Sequence, residues 1–243
     1  MRRTALAGAV LLAAILAPSP RVWAQGPHPD LERLVGVFER IVFGSEIAGA
    51  APAERVRKWQ GEVRFKLGGS GANAAREAVH RHAAQLSTLT GLAYREIGAK
   101  AQGETLVILV VPRAQMFETG KLVEKNETVL RRIVEDARGH CYFLSYSKAD
   151  QIVYAAVVAN AELDAAALAA CLLEEMAQVL GLPNDDPGLK VPVAGRAPVP
   201  GGSGLTPAAE LMVRALYDAR LKPGMARAEA RAAARQAIQD LLK

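Results

Sequence analysis

Apolar residues at Leu31, Leu34, Val35, Phe38 and Val42 recur every three or four positions, so Leu31 to Phe43 reads as an amphipathic entry helix. From Glu62 to Leu67 (EVRFKL) polar and apolar residues alternate, the pattern of a half-buried strand, and Gly68-Gly69 ends it. Helical spacing returns from about Ala72 to Thr88, with Ala75, Ala78, Val79, Ala83 and Leu86 as the inward stripe. Leu92 to Ile97 reads as a short strand. Thr105 to Val111 (TLVILVV) is apolar, β-branched and bounded by Pro112, the signature of a central strand.

Residues Gln115 to Arg138 are charged and helical in composition, with Leu122, Val129 and Ile133 as anchors, and are expected to form an insert over the sheet. Two strands follow, His140 to Tyr146 and Ile152 to Ala159, and the turn-forming Ser147-Lys148-Ala149-Asp150 between them predicts an antiparallel hairpin. Asp164 then caps an Ala-rich helix that runs to Leu180 and stops at Gly181, with Pro183 beyond. Pro187 to Gly204 is a Pro/Gly-rich loop of a length that is usually functional or mobile. Thr206 caps a further helix, Pro207 to about Asp218, and Pro223-Gly224 separates it from a last Ala/Arg helix, Met225 to Leu242. Arg227, Arg231 and Arg235 share one face of that helix, either a surface for an acidic partner or lipid, or a solvated face. The fold class expected is α+β, a mixed sheet with a central site helix and C-terminal helices.

Composition narrows the picture. Among 243 residues, 51% are hydrophobic and 23% charged, which excludes intrinsic disorder for most of the chain. The first 24 residues have the form of an export signal. Arg2 and Arg3 precede the apolar run Ala5 to Ala17, and Val22-Trp23-Ala24 ends on a small residue, so cleavage is expected after Ala24. That run is shorter than the ~20 residues of a membrane-crossing helix, so no span is expected after the signal is removed. Removal leaves 27 basic against 25 acidic side chains. With 5% aromatics and no basic stripe among them, nucleic acid is excluded as a partner. The two cysteines, Cys141 and Cys171, are expected to form a disulfide in an oxidising compartment, periplasmic or extracellular; the alternative is a Cys nucleophile served by His80 or His140. The domain boundaries expected are a leader with the entry helix over 25–55, one domain over 56–219 and the terminal helix over 220–243.

The most informative stretch is Cys171 to Asp186 (CLLEEMAQVLGLPNDD). At about 100° per residue Cys171, Glu174, Glu175 and Gln178 share a helix face, and Leu172, Met176, Val179 and Leu180 occupy the other side. Two acids and an amide together require water, a cation or a cleft as partner, or form an exposed polar face. The spacing resembles the metzincin motif H-E-x-x-H-x-x-G-x-x-H, with Glu174, Gln178 and Asn184 at the ligand positions, Glu175 at the general base and Gly181 at the turn. Three further segments resemble that family's catalytic domain: Lys58 to Phe65 its Trp-started strand, Leu89 to Glu96 its helix-to-strand join, and Leu205 to Tyr217 its closing helix. The C-x-x-E-E-x-x-Q-x-L-G-L-x-N-D core from Cys171 to Asp185, with the later Leu216-Tyr217-Asp218, resembles a family of exported bacterial proteins, domain of unknown function 2927.

These resemblances imply a zincin-like fold over 56–219, with Asp185, Gly181 and Tyr217 around a cleft, and Glu175 as the catalytic residue if the protein is active. All three ligand histidines are absent and the four His (28, 80, 82, 140) lie outside the motif, so no conventional zinc site is expected. The oxygen-only set Glu174, Gln178 and Asn184 would suit Ca²⁺, Mg²⁺ or Mn²⁺ if it holds any metal. Three roles follow. The chain is a pseudoenzyme that binds a peptide or envelope protein, with Ile152 to Ala159 as the edge strand the peptide lines; or it is an atypical metal-dependent hydrolase; or the polar residues are structural bridges to the long loop.

Overall fold

A computed structural model describes residues 30–44, 52–184 and 204–243. The expected signal segment, Asp185 and residues 187–203 of the long loop lie outside them. The fold is α+β, a five-stranded mixed sheet flanked by helices.

Three strands are built by the patterns read above: β1 (Val63–Gly68), β2 (Tyr94–Glu96) and β3 (Leu106–Val111). The hairpin follows as β4 (Cys141–Lys148) and β5 (Gln151–Asn160). Its turn is only two residues, Ala149 and Asp150, both at positive φ, so the strands extend further than the turn-forming composition suggests. The order across the sheet is β2-β1-β3-β5-β4, with β4 antiparallel to β5 and every other pair parallel. The strand expected at the edge, Ile152 to Ala159, is therefore internal, and β4 is the edge. The reason is in the residues: Ala155 to Ala159 is apolar on both faces and fully buried, whereas the outer half of β4, Ser145 to Lys148, is exposed.

Alternate strand residues feed two cores. Phe65, Leu106, Ile108, Val110, Ala155, Val157, Ala159 and Cys141 face a large core shared with α1 (Leu31–Phe43), α2 (Ala72–Thr90), α5 (Ala165–Gln178), α6 (Pro207–Tyr217) and α7 (Arg227–Leu241). Val111, Tyr142, Leu144, Ala156 and Val158 face a smaller core closed by Met116 of α3 (Met116–Gly120) and Leu130 of α4 (Glu127–Asp136), the expected insert. Asn126 caps α4 by accepting from the amides of Thr128 and Val129.

The arginine face of α7 is neither a free basic surface nor simply solvated. Arg227 donates to Glu39 at 2.6 Å, Arg231 to Glu39 at 2.7 Å and Glu32 at 3.2 Å, and Arg235 to Glu32 at 2.7 Å, a ladder that joins α7 to α1. Burial works against the Glu39 charge, yet the two guanidiniums outweigh it and hold the carboxyl below its ordinary value. Among the described residues no helix is long and apolar enough to cross a membrane.

Candidate functional site

The site helix α5 begins where the sequence places it. Asp164 accepts from the Ala167 amide at 2.8 Å, satisfying one of the amides a helix start leaves unpaired. Leu168, Leu172, Leu173 and Met176 then enter the large core. Cys171 is bonded to Cys141, with Cα atoms 6.2 Å apart, so the middle of α5 is tied to the first residue of β4. The nucleophile alternative falls with that bond. On the same side of the helix Glu174 is partly exposed, but Glu175 and Gln178 are 7% and 9% exposed, which overturns the exposed polar face for these two. A carboxylate and an amide at that depth require partners, and Glu174, Glu175 and Gln178 all have them.

The C-terminal end of α5 is clamped by residues far away in sequence. Trp59 Nε1 donates to the Val179 carbonyl at 2.8 Å, and the Tyr217 hydroxyl donates to the Leu180 carbonyl at 2.8 Å while accepting from the Trp59 amide at 3.2 Å. These bonds satisfy two carbonyls that a helix end would leave open. Gly181 sits at φ +108°, where a Cβ would collide with the Arg57 carbonyl oxygen, so the turn after α5 needs glycine. Lys58 lies over the Tyr217 ring at 4.9 Å and donates to the carbonyls of Leu216 and Leu221 at 2.8 and 2.7 Å. Burial pushes its ammonium down to about 8, against the opposing pull of Asp218. Two of the residues expected around a cleft, Gly181 and Tyr217, are thus brought together as parts of this clamp.

Asn184 is drawn elsewhere. Its Nδ2 donates to the Ile41 carbonyl at 2.8 Å and lies 3.5 Å from that of Arg40, closing the last turn of α1, and its Oδ1 is a buried acceptor without a partner. The donor set at the three motif positions is one carboxylate and two amides, which does not fit a zinc centre. Among the described residues, no three His, Cys, Asp or Glu side chains form a metal-binding group.

One residue was missed by the sequence reading. His82 is 4% exposed, and its Nε2 bonds the Ala169 carbonyl of α5 at 2.9 Å, while Nδ1 has no partner. Burial holds its imidazole down at about 4, so it is neutral. The signal was present: position 82 follows Val79 by three and precedes Leu86 by four, on the apolar stripe of α2.

The sheet's two edges differ. β2 has three residues and is hemmed by charge: Arg95 binds Glu62, and Glu96 is held by Arg76 and His80. β4 has eight residues, and no strand among those described pairs with its outer side.

A family model described as "Protein of unknown function (DUF2927)" matches residues 32–236. No curated protein and no solved structure matches the chain.

Proposed function

Because the chain belongs to the DUF2927 family, whose description assigns no activity, we propose its role from its own residues: a peptide-binding module, free of catalysis, that takes an extended segment along β4. The observation that carries the reading is the outer edge of β4, which no strand among the described residues pairs with and whose half from Ser145 to Lys148 is exposed. An exposed strand edge presents unpaired N–H and C=O groups at the spacing an added strand needs, and main-chain bonds then supply affinity. The Cys141–Cys171 bond supports it by fixing the first residue of the strand to α5, which limits how far the strand can shift before a ligand arrives. The same bond favours an oxidising compartment outside the cytoplasm, in keeping with the export signal read in residues 1–24. A peptide or an envelope protein with an extended segment is the partner class.

The motif residues support a structural duty over chemistry. Gly181 and Tyr217 secure the end of α5, and Asn184 secures the end of α1. Glu175 keeps the position of a general base in the motif, but the three ligand positions carry a carboxylate and two amides where a metalloenzyme has imidazoles, and Asn184 is turned to α1.

Panning residues 25–243 against displayed random peptides of about twelve residues, long enough to cover a strand, tests the reading. Captured peptides are expected to bind the wild type and Glu175→Gln equally, and to remain intact. Peptide cleavage that Glu175→Gln abolishes, with about one equivalent of Ca²⁺, Mg²⁺ or Mn²⁺ lost in Glu174→Ala/Gln178→Ala, would establish the hydrolase instead.

A further inference from the structure

We propose that the ligand of β4 is an amphipathic strand, with large apolar or aromatic side chains at every second position on the side of Tyr146 and small hydroxyl or polar side chains on the side of Ser145 and Ser147. The inference rests on the peptide-binding reading above and adds the chemistry of the partner.

The first observation is that β4 has two unlike faces. On the α5 side it carries Cys141, Phe143, Ser145 and Ser147, and on the other side Tyr142, Leu144, Tyr146 and Lys148. The irregularity near Tyr146 lies in the partner strand: Tyr146 pairs with Tyr154 and Ser147 with Ile152, so Val153 is the extra residue and β4 alternates without interruption. A strand added to the outer edge must follow that alternation, because residues opposite one another share a face. In the exposed half, Ser145 and Ser147 offer hydroxyls on one face, and Tyr146 offers an aromatic ring on the other.

The second observation concerns the surface next to the strand. Only four large hydrophobic side chains are conspicuously exposed among the described residues: Leu122 at 71%, Val153 at 45%, Leu241 at 39% and Tyr146 at 37%. Two of them, Tyr146 and Leu122, belong to β4 and to the connection that its exposed half touches. The Tyr146 hydroxyl lies 3.3 Å from the Val123 carbonyl and 3.2 Å from the Glu124 carboxylate, so the connection from α3 to α4 that carries Leu122 lies against the exposed half of the strand. Tyr154 extends the surface, its ring centroid 6.3 Å from that of Tyr146. Lys125 donates to the carbonyls of Lys121 and Leu122, which fixes the backbone at Leu122 with its side chain outward. A strand docked on β4 would lay its Tyr146-side residues beside this ledge. An exposed Leu on the connection that Tyr146 touches, next to a strand edge that no described strand pairs, is what an apolar ligand side chain would cover. The β2 edge has nothing comparable, since its flanking side chains are paired charges.

The test compares two synthetic heptapeptides of identical composition, labelled and solubilised by the same hydrophilic tail. In one, Thr alternates with Phe and Val; in the other the apolar residues form a single block. Fluorescence anisotropy with residues 25–243 is expected to show the alternating peptide binding about tenfold tighter, the ratio two good cross-strand pairs supply. In Leu122→Asp/Tyr146→Ser the ratio is expected to fall below about threefold, with a single cooperative melt retained at a modestly lower midpoint, because Tyr146 gives up its contacts with the Val123 carbonyl and the Tyr154 ring. Equal binding of the two isomers, or a preference that survives the double variant, overturns the proposal. If neither heptapeptide binds while display-selected peptides do, the peptide-binding reading stands and this inference fails. If no peptide binds and sedimentation shows self-association that the double variant abolishes, the ledge serves a second copy of the chain and both readings fall.

Discussion

Acid should loosen this fold through His82, and the size of the effect follows from where that side chain sits. In the unfolded chain a histidine titrates near 6.5; in the fold, burial against α5 brings it to about 4. A base whose folded value is depressed gives stability that is complete above 6.5 and is lost as the pH falls toward 4, because the unfolded chain takes up the proton first. Linkage makes the loss roughly 2 kcal/mol at pH 5 and about 3 kcal/mol at pH 4. The control is His82→Leu, which removes the unpartnered Nδ1 and keeps a side chain of similar bulk. The Ala169 carbonyl retains its helical acceptor role in that variant, so the stability at pH 7 should change by no more than about 1 kcal/mol. Urea unfolding at pH 7, 6, 5 and 4 can be followed by the fluorescence of Trp59, the single tryptophan left once residues 1–24 are removed, and one buried in the core. The wild type should lose stability relative to His82→Leu as the pH falls. Parallel curves for the two proteins would rule out His82 as the acid-sensitive group.

The other predictions concern the parts that hold the site in place. Tyr217→Phe removes the donor to the Leu180 carbonyl and the acceptor of the Trp59 amide, and is expected to cost about 1–3 kcal/mol in urea unfolding. Cys141→Ser/Cys171→Ser opens a loop spanning a sequence separation of 30, for which chain entropy gives a loss of roughly 3–4 kcal/mol, measurable as a lowered urea midpoint. Glu39→Gln should lower stability by about 1 kcal/mol in dilute buffer and by much less in about 1 M salt, since its two arginine partners are partly exposed. Replacing Gly181 by Ala should cost more than the ~1 kcal/mol of an ordinary strained glycine site, because the added Cβ has to displace the Arg57 backbone.

Much of the fold is legible in local spacing. The entry helix begins and ends at the residues its apolar period marks, Leu31 and Phe43, and α5 and α6 start directly after Asp164 and Thr206, whose side chains bond the expected amides. What local pattern does not contain is partnership across the chain. Ile152 to Ala159 reads as a strand from its residues, but its place inside the sheet comes from pairing with Leu106 to Val111, and β4 takes the edge as a result. The arginines of α7 look like a free basic stripe until α1, at the far end of the chain, supplies Glu32 and Glu39. The site shows the same division. Periodicity puts Cys171, Glu174, Glu175 and Gln178 on one face, and the Cys141–Cys171 bond forms as the even cysteine count suggests. Burial of Glu175 and Gln178 depends on what covers that face, which no spacing within the helix records. Gly181 and Tyr217, read from the sequence as cleft residues, and Asn184, read as a metal position, each have a packing duty that lies outside the motif's own helix and so outside its spacing.

The claim that β4 is the binding edge is tested most directly by hydrogen–deuterium exchange of residues 25–243, with and without a display-selected peptide. Slowed exchange is expected of the amides in the exposed half of β4, Ser145 to Lys148, with the same pattern in Glu175→Gln. Protection that bypasses β4, at β2 or on the helices alone, would contradict it.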